Sequence, residues 1–158
     1  MDSSREKRDI VMTPDEFNRW MTERSNKIGS IITPAALQLI ALIKRRIIST
    51  GEKAEGGQFS AYTDAYLKKK SKRHTVSFKN FEDTRVMWNS FGIKDTEETL
   101  GMTVITARMD EDSRGSITNQ GLMEVHSKAE DSELVAASTE EEKVMVEYID
   151  RKLTELWA

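Results

Sequence analysis

Two Thr-Pro dipeptides, Thr13-Pro14 and Thr33-Pro34, limit this chain more than any other local feature, because each marks a helix start. A threonine at the N-cap accepts a bond from an orphan backbone N–H, and a proline at the first helical position has no N–H to orphan. At the first start, Glu16 stands three residues after Thr13 and completes a capping box. Phe17, Trp20, Met21 and Ile28 then recur on one face at helical spacing, and Gly29-Ser30 predicts the stop. The second start predicts a helix to about Ser49, with Gly51 in the C-cap region. Its Leu37, Leu39, Ile40, Leu42, Ile43, Ile47 and Ile48 cover more than one stripe, so it is expected to be buried on more than one side.

From Gly51 to Lys79 no period is sustained, and a loop of that length in a compact domain is usually functional or disordered. Its aromatics, Phe59, Tyr62 and Tyr66, argue against simple disorder. Tyr62 and Tyr66 are four apart, so a short helix from Ser60 to about Lys70 would put both on one face. The expectation is an extended arm with one or two helical turns, ordered mainly in an assembly. Phe81 to Ser90 reads as a short helix turning Val86, Met87 and Trp88 inward.

Phe91 to Asp95 and Leu100 to Met109 read as a hairpin separated by Thr96 to Thr99, with Met102, Val104 and Ala107 on one side and Thr103, Ile105 and Arg108 on the other. Asp110 to Gly115 has loop composition, and Ile117 to Val125 and Glu133 to Ala137 are candidates for two more strands. A final helix is announced by a capping box, Ser138 with Glu141 or Thr139 with Glu142, and by the stripe Met145, Ile149, Leu153, Leu156. The predicted class is α+β: a small mixed or antiparallel sheet packed against a long helix and a C-terminal helix, with a long extended arm. Residues 1 to 12 form a flexible N-terminal arm in this reading, and residues 13 to 158 form a single domain carrying the extended arm at 51 to 79.

The chemistry of the side chains points away from catalysis. Without cysteine there is neither a thiol nucleophile nor a disulfide framework. His74 and His126 are far apart with no partner at metal-ligand spacing, and the consecutive Asp110, Glu111 and Asp112 point in different directions. Gly56-Gly57 is followed by neither a G-x-G-x-x-G pattern nor a Gly-Lys-Ser/Thr ending, and no Gly-x-Ser-x-Gly box supports a triad. The reading is a protein with no catalytic residues, metal or cofactor. The first residues carry charges but no apolar run, which predicts no secretory leader, and the apolar window Ile31 to Ile43 is too short to span a bilayer.

Charge is divided along the chain. Residues 1 to 90 carry 17 Lys+Arg against 11 Asp+Glu, and residues 91 to 158 carry 7 against 16. If the two halves occupy different surfaces, copies can meet basic side to acidic side, as in a head-to-tail ring. The basic run Lys68, Lys69, Lys70, Lys72 and Arg73 gives a rival reading, a small nucleic-acid-binding regulatory module whose lysines contact phosphates while the upstream tyrosines stack on bases. An overall pI near 5.5 counts against it.

Two boxes carry a family resemblance. Gly56, Gly57, Phe59, Tyr62, Tyr66 and Lys70 form the first, and Phe81, Asp83, Thr84, Met87 and Ser90 the second. In that order they resemble the virion morphogenesis proteins of tailed bacteriophages, of the head-tail connector, neck or tail-completion type, although Arg85 stands where that family usually has glycine. The likeness runs in order of elements over roughly residues 34 to 157. It implies a structural virion protein, assembled in the host bacterial cytoplasm, that forms a homo-oligomeric ring of twelve copies, or of six. The ring would join portal or adaptor protein to tail proteins and pass DNA through its lumen without sequence-specific binding. It further implies that Phe59, Tyr62, Tyr66, Lys68, Lys69, Lys70 and Trp88 contact a neighbouring subunit or the portal.

Overall fold

The computed structural model describes residues 12–70, 78–81, 86–99, 102–110, 113–114 and 117–157. The proposed N-terminal arm, apart from Met12, lies outside them, as do Lys72, Arg73, His74, Asp83, Thr84 and Arg85.

Helix α1 (Pro14–Thr50) is one continuous element of 37 residues, about 55 Å long. Its start is the one expected: Thr13 accepts from the Glu16 N–H at 3.3 Å, and the Glu16 carboxylate accepts from the Thr13 N–H at 2.8 Å. The break expected at Gly29 to Pro34 does not occur. Pro34 forfeits the bond to the Ser30 carbonyl, a local cost of about 3 kcal/mol. Ile31, Ala35, Ile40, Ile43 and Ile47 are buried on both sides of it, and that burial outweighs the missing bond. Gly29 is a point of close approach: a Cβ there would run into the Glu98 carboxylate, which lies over the helix. At the far end Gly51 (φ 65°) closes the helix by donating to the Ile47 carbonyl at 3.1 Å. A side chain at Gly51 would also strike the Phe78 ring.

Both ends of the segment expected as an extended arm rest on the chain's own core. A tight turn at Gly56 (φ 94°) and Gly57 (φ 79°) returns the chain, so that the Phe59 N–H donates to the Gly51 carbonyl at 2.8 Å. Ala61 then bridges Phe78. Helix α2 (Asp64–Lys70) follows, beginning later than the Ser60 foreseen, and helix α3 (Val86–Ser90) buries Met87, Trp88 and Ser90.

Strands β1 (Gly92–Thr99) and β2 (Met102–Arg108) make an antiparallel hairpin with an irregularity between Ile93 and Asp95. Residues 96 to 99, expected as the connection, belong to β1, and on β2 Met102 and Val104 do lie opposite Thr103 and Ile105, but Ala107 falls on the side of Ile105 and Arg108 on the side of Met102. Met102 and Val104 are 56% and 41% exposed, while Thr103 and Ile105 turn toward α1. Ile105 and Ala107 line an apolar groove of about 460 Å³ with α1 and the last helix. The loop expected at Asp110 to Gly115 holds strand β3 (Ser113–Arg114), paired with β4 (Ile117–Thr118).

The strand expected to run on from Ile117 to Val125 is instead helix α4 (Asn119–Glu130) after the first two residues. Thr118 is the cause: its hydroxyl accepts from the Gly121 N–H at 3.0 Å and caps a helix. Residues 133 to 137 are turn and irregular backbone rather than a strand. Helix α5 (Thr139–Trp157) takes the first of the two capping boxes: Ser138 accepts from the Glu141 N–H at 3.3 Å and donates its own N–H to the Glu141 carboxylate at 2.8 Å. The expected stripe of α5 is half-buried along α1. The fold is therefore α+β, a small antiparallel sheet packed against a long helix and a C-terminal helix.

Candidate functional site

Of the residues expected at an interface, two are consumed by the core. Phe59 is 3% exposed, edge-on to Phe81 at 5.1 Å. Trp88 is 2% exposed, and its indole N–H donates to the Asn80 carbonyl at 3.0 Å. Buried this way, neither side chain can reach another subunit. Tyr62 and Tyr66 do share a face: their rings stack at 4.6 Å and 15° just before and within α2. Tyr62 is tied down further, donating to Asn80 Oδ1 at 3.3 Å and accepting from the Phe81 N–H at 3.1 Å. The two rings form an aromatic ledge, and Lys68, two residues beyond Tyr66 in α2, is exposed. Lys69 and Lys70 continue α2, and their side chains are not described.

Sequence reading missed what fixes that ledge. Glu130, at the end of α4, is 6% exposed and accepts from Lys79 Nζ at 2.6 Å, from the Ser60 hydroxyl at 2.6 Å and from the Ser60 N–H at 2.9 Å. Burial works against its charge, but these donors outweigh burial and hold its pKa at about 2. Lys53 adds a bond to the Glu130 carbonyl at 2.7 Å. Lys79 Nζ also donates to the Ser60 hydroxyl at 2.6 Å, so lysine and serine meet as in a nucleophilic dyad. The geometry does not support that chemistry: the ammonium is ion-paired and the hydroxyl's own proton goes to Glu130, which leaves no base. The trio is a clamp joining residues 60 and 79 to α4. His126 sits over the Phe81 ring at 4.8 Å, its pKa lowered by burial and by Lys79 against the opposing pull of Glu130. Phe81 itself is held at φ 54°, a strained value for a residue with a side chain, by these packed rings and the Tyr62 bond.

A second node holds the opposite flank. Arg46, late in α1, donates to Glu141 at 2.9 Å, to the Glu52 carbonyl at 2.5 Å and to the Ala136 carbonyl at 2.8 Å. Three pieces of chain therefore converge on one guanidinium. Glu141 was legible as a capping residue, but nothing in the sequence paired it with Arg46.

What remains outside this stitched base is surface. The outward face of the hairpin sets the acids Asp95 and Glu97 of β1 beside Met102, Val104 and Thr106 of β2. At the other end of α1, the Arg24 guanidinium lies between the rings of Trp20 (4.4 Å) and Trp157 (4.0 Å), with Phe17 half-exposed beside them. Among the described residues, no three His, Cys, Asp or Glu side chains gather as a metal site would require, and no helix is long and apolar enough to cross a membrane. Set against protein-family models, curated proteins and solved structures, the chain matches none.

Proposed function

We propose that this chain is a structural virion protein of a tailed phage, a non-enzymatic subunit of the head-tail connector that assembles as a ring between portal and tail. The observation that carries the reading is the large apolar side chains it leaves exposed. A chain that leaves Phe17, Leu37, Met102, Val104, Val146 and Trp157 largely in water, around a small core, is built to be covered by other molecules. Charge supports the same reading. The stretch around Lys68 is basic and the hairpin row is acidic, so one surface suits a neighbouring protein and the other repels a passing duplex.

Light scattering behind a sizing column, at low and moderate salt, tests this directly, with DNA binding measured on the same fractions. A ring-sized species, alone or once portal or tail protein is added, is the expected result. A monomer that stays monomeric with those proteins and binds DNA with a steep salt dependence overturns it in favour of the nucleic-acid module.

A further inference from the structure

The hairpin is the least protected element of the fold. Among the described residues β1 and β2 pair only with each other, so each keeps one row of backbone N–H and C=O groups unpaired along its outer edge. Two-stranded ribbons are marginal alone, and an open edge is a template for another strand. Here one face of the ribbon is seated on α1 through Glu98 over Gly29 and Ile105 in the apolar groove, which leaves edges and outer face presented together.

We propose that a second copy of this chain fills the edge: β2 of one copy adds to β1 of the next, antiparallel, so that hairpins continue as one sheet around the assembly. The inference rests on the assembly reading above and names its contact. Charge selects the pairing. β1 carries Asp95, Glu97 and Glu98, so β1 against β1 would set acid beside acid. β2 carries no acid, and it offers Met102 and Val104 to the acidic row, while its Arg108 pairs at 3.7 Å with Asp95 of the same hairpin. Pairing unlike edges is heterologous, and heterologous contacts that close make rings. Strand direction agrees: a rotation carries each hairpin into the next without inversion, and β1 then meets the neighbour's β2 running the opposite way.

Because the chain has no cysteine, introduced thiols report this geometry cleanly. Single variants on the outward face, Asp95→Cys or Glu97→Cys on β1 and Met102→Cys or Val104→Cys on β2, replace exposed side chains and leave the core intact. A β1 variant is mixed with a β2 variant at the concentration where the oligomer forms, oxidised, and separated without reductant. The expected result is a mixed disulfide dimer several-fold more abundant than either homodimer for at least one pair. Predominant homodimers of one strand overturn the proposal in favour of a two-fold contact. An oligomer by light scattering with no mixed disulfide across all four pairs places the contact elsewhere and leaves the assembly reading standing. A chain that stays monomeric even with portal or tail protein added, and gives no mixed disulfide, removes both.

Discussion

The two ends of helix α1, one mostly polar and one rich in leucine and isoleucine, are held in opposite ways. Toward Gly51 the helix buries Ile40, Ile43 and Ile47 among Phe59, Trp88, Phe91 and Leu134, and the Arg46 and Glu130 nodes tie down the chain around it. Toward Thr13, among the described residues, it meets the tip of α5 through one arginine between two indole rings. Local helix chemistry is good at both ends, so the difference lies in tertiary packing. The base is what makes the chain fold, and the far end and hairpin are what the fold holds out.

The sharpest way to break this contrast is in the base. Trp88→Ala removes a ring 2% exposed together with its bond to Asn80, and is expected to cost about 4 kcal/mol in urea unfolding. A cost under about 1 kcal/mol would mean that α3 is not part of the core.

Glu130→Gln comes next, and its signature is pH. The carboxylate is lowered to about 2 in the folded chain from an ordinary 4.5. Its contribution is therefore fully present above about pH 4.5 and is lost as pH falls toward 2. The substitution should cost on the order of 3 kcal/mol at neutral pH and little near pH 2, so the variant loses much of the acid limb of the stability curve. An acid limb unchanged in the variant would show that the clamp does not hold its charge in the fold.

How much of the contrast could be read from the residues follows the same division. Capping boxes at Thr13 and Ser138, the αL glycine at 51 and the inward Met87 and Trp88 were legible because each depends on a few neighbours in sequence. Pro34 misled because its cost is local while the compensation comes from buried isoleucines packed on distant elements. On β2 the alternation of Met102 and Val104 against Thr103 and Ile105 was legible, while Ala107 was set with the wrong pair and shares the helix seat with Ile105. Glu130 was illegible: an acid at the end of a helix gives no sign of the Ser60 and Lys79 that meet it across 70 and 51 positions.

At the far end Arg24→Ala should cost only about 1 kcal/mol, the scale of a partly exposed cation–π contact. It should also change the tryptophan fluorescence of Trp20 and Trp157 without shifting the main unfolding transition by more than a few degrees. A loss near that of Trp88→Ala would make the far end part of the core and end the comparison.

The smallest effect sharpens the contrast most, because its sign is in question. Gly29→Ala removes the entropic penalty of glycine inside a helix, worth up to about 1 kcal/mol in favour of the fold. Against this, the new methyl runs into the Glu98 carboxylate. That obstacle is the end of a flexible side chain on an exposed strand, so it can swing aside at little cost. The net expectation is a gain of about 0.5 kcal/mol in urea unfolding. A loss of more than about 1 kcal/mol, relieved when Glu98→Ala is added, would mean that the hairpin is locked onto α1 through this carboxylate. The hairpin would then belong with the stitched base, and only the Trp20 and Trp157 end would remain as surface held out for partners.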